Sequence, residues 1–269
     1  MSRLNEKLQA LAEQNKKALV TYLVAGDPSV EATVPTMHKM VEAGADVIEL
    51  GVPFSDPMAE GPVIQLGHER ALANGVSLRK TLAMAKEFRQ QDQSTPVVLM
   101  GYSNPVERMG YKTFAAACDD AGVDGLLAVD LPPEEASDLD TELQKVGINS
   151  VYLIAPTTTE ERMERVCAKA SGFIYYVSLK GVTGAGHLDL DSVKEKVAQL
   201  GKYTPLPILV GFGIKGGETA KQIASTASGA VVGSVLVNTM GSMAGENAET
   251  IADAVATQVA EMRVAIDTL

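Results

Sequence analysis

The sequence predicts an α/β fold closed as one (β/α)8 barrel, a single-domain TIM barrel with an extra N-terminal helix. Three observations predict it. Eight short runs rich in Val, Ile and Leu recur along the chain. They are continuous rather than alternating, as in strands buried on both faces. Helical patterns separate them, and strand followed by helix, repeated eight times, is the order of a parallel barrel. The length of 269 residues suits one such unit. An open doubly wound sheet is the rival, but it usually has fewer strands and a Gly-rich first turn. Here the first strand is followed by Ala25-Gly26-Asp27-Pro28, not by GxGxxG. No linker or low-complexity segment divides the chain, so residues 1–269 read as one domain.

The elements follow in order. An amphipathic helix through Leu4, Leu8 and Leu11 precedes the first strand. The strands are read at 19–25, 47–52, 96–102, 125–130, 150–156, 173–178, 207–213 and 230–233. Val30, Val34, Met37 and Val41 form one helical stripe, and Leu78, Leu82, Ala85 and Phe88 another. Pro132-Pro133-Glu134-Glu135 reads as a helix start, with Pro and acid in the first turn. Thr159-Glu160-Glu161-Arg162 opens the next helix. Ile251, Val255, Val259, Met262 and Ile266 mark a terminal helix.

Composition narrows the function. Lys and Arg number 23 and Asp and Glu 34, a net charge of −11, which argues against nucleic-acid and anionic-membrane partners. The uncharged stretch 222–245 is too rich in Gly, Ser, Thr and Asn to span a bilayer. The first residues are too charged for a signal peptide, so a cytoplasmic location is expected. Cys118 and Cys167 read as buried helical thiols, not a disulfide framework. His38 and His68 read as structural helix residues and His187 as a loop residue; without a His–Cys cluster, no metal site is expected.

In a barrel, chemistry belongs at the C-terminal strand ends and the loops after them. Glu49 lies within the second apolar run, where a carboxylate is costly unless paired or functional. Desolvation there raises its pKa toward the range useful for proton transfer. The loop after it, 53–62, carries three prolines and the acids Asp56 and Glu60, as a lid or binding loop does. Three glycines in the sixth loop, Gly181, Gly184 and Gly186, suit a flap or close backbone approach to a ligand. The seventh and eighth strands end in Gly211-Phe212-Gly213 and Gly233-Ser234. Glycine N–H groups beside a helix N-terminus bind an anion without basic side chains, so a small phosphorylated substrate is expected.

Together these segments resemble the α subunits of tryptophan synthase. The matching stretches are AGDP at 25–28, GADVIELGVPFSDP at 44–57, LMGYSNP at 99–105, DLPPEE at 130–135, GVTG at 181–184, GFGI at 211–214 and Gly233-Ser234. They cover nearly the whole chain in order, and ELGVPFSDP with GVTG is a specific pair. The resemblance implies a carbon–carbon lyase that cleaves indole-3-glycerol phosphate to indole and glyceraldehyde 3-phosphate. Indole then passes to a β subunit in an α2β2 heterotetramer. Pyridoxal phosphate is expected only in that partner, and no cofactor in this chain.

The resemblance also carries over residues. Glu49 matches the family's acid/base. Glu60 stands where the family usually has Asp, as the carboxylate that stabilises charge at the indole nitrogen; it keeps the charge and reaches one methylene further. Thr183 matches the residue that positions the loop-two acid, and Lys180 replaces a common Arg. The phosphate cradle maps to Gly184, Phe212, Gly213, Gly233 and Ser234. The usual Ser or Thr cap after the seventh strand is missing, so a looser helix start is expected at 215–218. The indole pocket maps to Tyr22, Met100, Tyr102, Leu127, Val129 and Tyr175, with Phe212 beside them. Asp56 and the 102–110 loop, with Asn104 and Pro105, match surfaces facing the partner. Alternatives are a stand-alone lyase, a different phosphosugar barrel such as an isomerase, and a non-catalytic subunit that activates a β partner. Glu49 with an indole-sized apolar pocket disfavours the isomerase, and an intact Glu49 argues against the non-catalytic subunit.

Overall fold

The computed structural model describes residues 2–178, 190–211 and 213–269. Among them, nine strands form one sheet: β1 (Ala18–Val24), β2 (Val47–Gly51), β3 (Val97–Gly101), β4 (Gly125–Ala128), β5 (Asn149–Ser150), β6 (Tyr152–Ile154), β7 (Ile174–Val177), β8 (Ile208–Gly211) and β9 (Gly229–Val232). The order is β5-β4-β3-β2-β1-β9-β8-β7-β6, and every recorded pairing is parallel. Only Val151 separates β5 from β6, and its N–H donates to Leu126 O at 2.9 Å. β5 and β6 are thus one interrupted stave, the two ends of the sheet meet there, and the barrel has the eight staves expected.

Buried strands explain the continuous apolar runs. β1, β2, β8 and β9 are buried along their whole length. Their outer face packs on the helix ring in a cluster that includes Leu19, Ile48, Val210 and Val232, joined by Leu99 of β3. The helix stripes fall as read, on helices Val30–Glu42, Leu78–Phe88 and Ala248–Ile266. Two local readings are corrected. Pro132–Glu135 forms a turn, with the Glu135 N–H donating to Pro132 O at 2.9 Å, and the helix begins only at Ser137. The expected 102–110 loop is a short helix, Ser103–Met109, tied at its first residue to Asp130.

The extra helix is Arg3–Glu13, capped by the Ser2 hydroxyl. Leu4 and Leu8 are buried against Ala18, Val20, Val47, Val98, Leu127, Phe173, Leu209 and Val231. These strand residues face the barrel interior, so the helix plugs its N-terminal end and leaves the C-terminal end for ligands. Cys118 and Cys167 are buried on helices Tyr111–Asp120 and Glu160–Lys169. Among the described residues no helix is long and apolar enough to cross a membrane.

β1 and β9 close at a tight point. A Cβ on Gly229 would lie 2.3 Å from Ala18 O and 2.8 Å from Ala18 N, backbone atoms that cannot swing away. Gly229→Ala therefore forces the two strands apart, and overpacking of this kind costs about 1–3 kcal/mol. Urea unfolding is expected to show a lower midpoint with an unchanged slope.

Candidate active site

Side chains of a strand alternate between its faces, so a residue two positions beyond an inward one also points inward. Two positions beyond Val20, Val47, Val98, Leu127, Phe173 and Val231 stand Tyr22, Glu49, Met100, Val129, Tyr175 and Gly233. The strand register sets Tyr22 of β1 directly beside Glu49 of β2. Met100, Leu127, Val129 and Tyr175 pack on the same interior cluster, and Met100 also packs on Tyr22. Of the residues mapped to the indole pocket, Tyr22, Met100, Val129 and Tyr175 thus stand one step above the plug, while Leu127 belongs to the layer that packs on it.

Glu49 is 1 % exposed, and neither carboxylate oxygen is hydrogen-bonded to any described residue. Burial pushes its pKa up to about 8, and the charge of Glu60 adds to the rise. Near neutral pH it is largely a neutral acid with a proton to give. Glu60 follows β2 in the 53–62 segment. Burial pushes its pKa up to about 7, against the stabilising Tyr102 hydroxyl. That hydroxyl accepts from Ala59 N–H at 3.1 Å and donates to Glu60 Oε1 at 3.4 Å. Phe54 stacks on the Tyr102 ring at 5.0 Å. Two desolvated carboxylates therefore stand near enough to interact, the larger shift belonging to the deeper group.

His68, read from sequence as structural, belongs to this constellation. It lies on helix Pro62–Ala73, 2 % exposed, with Nε2 3.3 Å from the Tyr22 hydroxyl. Its Nδ1 accepts from Phe54 N–H at 3.0 Å. The signal that could have found it is the helical stripe Ile64, His68, Ala71, whose apolar members pack beside Tyr22. Arg70 of the same helix holds the buried Asp27 carboxylate in two bonds, at 2.6 and 3.0 Å, and so fastens the helix to the end of β1.

At the other side of the mouth, Gly213 follows β8 with φ +28°, and Gly233 precedes helix Ser234–Ser242. No side chain caps that helix, so its first amides and its dipole face the strand ends. The helix after β8, Gly217–Ala224, is not loose. The Thr219 hydroxyl accepts from Lys215 and Gly216 N–H at 3.0 and 3.2 Å, and Glu261 accepts from Gly217 N–H at 3.3 Å. Thr219, inside the helix, supplies the missing cap. Thr183, Gly184 and Phe212, with Lys180 and His187, lie outside the described residues.

Asp56 is exposed and bonded to Ser55, and Met58 beside it is 83 % exposed. Asn104 is exposed and Pro105 half-buried on the helix after β3. All four follow strand ends at the barrel mouth. A cleft of about 280 Å³ lined by Leu8, Leu11, Lys16, Lys17 and Pro207 lies instead at the plugged end, away from the carboxylates. Among the described residues no group of three or more His, Cys, Asp or Glu is placed to hold a metal ion.

A parallel barrel whose open end holds a buried acid, a second carboxylate and glycine-rich strand ends is an enzyme of the proton-transfer, phosphate-handling class. Its sequence places it further. Residues 8–267 match the family model described as tryptophan synthase alpha chain. The tryptophan synthase alpha chain of Thioalkalivibrio sulfidiphilus is 55 % identical over 267 residues, covering 99 % of this chain and 100 % of that one. A crystal structure of tryptophan synthase subunit alpha from Legionella pneumophila matches with a TM-score of 0.92 and 45 % identity, each chain covered over 100 % of its length. A tryptophan synthase complex from Pyrococcus furiosus matches with a TM-score of 0.80 and 37 % identity, over 92 % of this chain and 98 % of that one. The chain belongs to the tryptophan synthase alpha chain family, lyases that cleave indole-3-glycerol phosphate.

The raised pKa of Glu49 has a thermodynamic consequence. Between the unfolded value near 4.5 and the folded value of about 8, the native state binds more protons than the unfolded chain. Stability therefore falls as pH rises through that window. Glu49→Gln removes the loss, on the order of 5 kcal/mol above pH 8 at about 1.4 kcal/mol per pKa unit. Melting curves are expected to show a higher Tm for the variant at pH 8.5, with the gap closing toward pH 4.

Proposed function

We propose that Glu49 moves the protons in this cleavage and that Glu60 stabilises the charge the reaction develops. The observation that carries the reading is Glu49 itself: a fully buried acid, unbonded to described residues, whose pKa is raised further by a second carboxylate nearby. Cleavage of the bond at indole C3 needs a proton delivered to C3 and one taken from the glycerol hydroxyl. Protonated Glu49 gives its proton to C3, and the ring nitrogen becomes positive. The resulting Glu49 carboxylate takes the hydroxyl proton as the carbon–carbon bond breaks and the aldehyde forms. Electrons return to the ring, indole leaves, and Glu49 is again the acid. Ionised Glu60 faces the positive nitrogen and lowers the energy of that intermediate.

Tyr22, Met100, Tyr102, Leu127, Val129 and Tyr175 hold the indole. Gly184, Phe212, Gly213, Gly233 and Ser234 hold the phosphate, and Thr183 positions Glu60. The whole of 1–269 acts as one catalytic domain, in the cytoplasm. Its partner is a β subunit in an α2β2 complex, docked over Asp56, Asn104 and Pro105. That subunit takes the indole and carries the pyridoxal phosphate. The Pyrococcus furiosus neighbour is a tryptophan synthase complex, and the exposed Met58 beside Asp56 suits a contact of this kind.

The deciding experiment is indole release from indole-3-glycerol phosphate by the purified chain, with and without the β subunit. Slow release alone and faster release with β, together with co-elution at micromolar concentration, are expected. Full turnover alone would mark a stand-alone lyase, and none in either case a non-catalytic activator. Glu49→Gln is expected to lower kcat at least 100-fold, within the span usual for general acid–base groups. Glu60→Gln should lower it about 100-fold. The reaction needs Glu60 ionised and Glu49 protonated, so kcat/KM is expected to peak between limbs near pH 7 and pH 8. Glu60→Gln abolishes the acidic limb.

A further inference from the structure

His68 has no role in the scheme above, yet it touches both sides of the site. Its ring is buried, and burial pushes its pKa down to about 4, so the imidazole is neutral in the working range and carries one hydrogen. Nδ1 is occupied as an acceptor by Phe54 N–H at 3.0 Å. The hydrogen is therefore on Nε2, where it points at the Tyr22 oxygen 3.3 Å away. A Tyr22 oxygen that accepts from His68 must direct its own hydrogen elsewhere. The Tyr22 oxygen lies against Gly51, where a Cβ would stand only 2.4 Å from it, so only a glycine there leaves the hydroxyl its place. Gly51 lies two residues past Glu49 on the same inward face.

The groups facing Tyr22 are Glu49 from β2, Glu60 from the segment after it, Tyr102 from the end of β3, Tyr175 from β7 and His68. Among the described residues Tyr22 also belongs to an apolar cluster with Val24, Ala71 and Val237, on which Val63, Ile64 and Met100 pack. Of the groups facing Tyr22, the carboxylates of Glu49 and Glu60 are the strongest acceptors, and neither Glu49 oxygen is bonded to a described residue.

We infer that His68 is a positioning residue of the lyase site, whose Nε2–H makes the Tyr22 hydroxyl an acceptor and so keeps its hydrogen for donation toward Glu49 and Glu60. Through Nδ1 it also holds Phe54, whose ring stacks on Tyr102, the residue that bonds Glu60. One imidazole thus sets the direction of a hydroxyl and anchors the start of the segment that carries the second carboxylate. A donor aimed at a carboxylate favours its ionised form, the form in which Glu60 meets the developing charge.

The inference rests on the lyase reading, and indole release by the parent chain is the control for it. His68→Asn separates the two contacts, because an Asn oxygen can replace Nδ1 at Phe54 N–H but does not reach Tyr22. Tyr22→Phe removes the hydroxyl. Each single variant is expected to move the acidic limb of kcat/KM upward by about half a pH unit or more, the scale of one lost hydrogen bond of about 1 kcal/mol. The double variant should match Tyr22→Phe alone. Limbs unchanged in His68→Asn, or shifts that add in the double variant, would overturn the inference. An independent reading needs no variant and no turnover. The chain has three histidines, so the 15N resonances of His68 can be assigned. The Nε2-protonated tautomer is expected near pH 7, and the Nδ1-protonated one would refute the assignment even if the lyase reading stands.

Discussion

A carboxylate desolvated inside an apolar barrel is the constraint around which this site is built. Burying Glu49 without a bonded partner among the described residues is unfavourable for its ionised form, and burial raises its pKa so that the group keeps its proton near neutrality. An arginine or lysine beside it would have stabilised the fold and removed the acid. Among the described residues the one charged neighbour that shifts it is Glu60, which pushes the same way as burial. The arrangement sacrifices stability at high pH for an acid that works near neutrality.

Such an acid needs a rigid and dry surrounding, and the barrel supplies it from below. The Arg3–Glu13 helix closes the N-terminal end with Leu4 and Leu8, so the interior valines and Leu127 pack as a floor beneath Glu49. From the side, the Asp27–Arg70 ion pair fixes the helix that presents His68, Ile64 and Ala71 toward Tyr22. The packing that stabilises the fold and the packing that raises the Glu49 pKa are the same contacts. A floor loosened enough to admit water would lower that pKa and weaken the acid.

How legible this was in the sequence follows from the same physics. The staves could be read because strands buried on both faces carry unbroken apolar runs, and Glu49 stood out as the charge inside one of them. The break at Val151 was not visible, since it depends on how β5 and β6 pair with different neighbours. Pro132–Glu135 has the composition of a helix start, but its turn bonds precede the helix by a few residues. Thr219 was missed as a cap because it reaches back to Lys215 and Gly216 from inside its helix. His68 was missed for a similar reason: one histidine on a helix gives no sign of its partners, which here come from β1 and from the segment after β2.

The negative charge of the chain and the anionic substrate of its family are reconciled by the same burial. With net charge −11, long-range attraction of a phosphate is not available. Short-range donors can still hold it: the uncapped N-terminus of Ser234–Ser242 offers backbone N–H groups and the positive end of a helix dipole. Those donors work only if the nearby cavity does not repel the phosphate. Two fully ionised carboxylates would do so, but with pKa values pushed up to about 8 and about 7 the pair carries well under two charges at neutral pH. Desolvation therefore does two things at once: it makes Glu49 an acid, and it spares the cavity much of the negative charge that would keep an anion out.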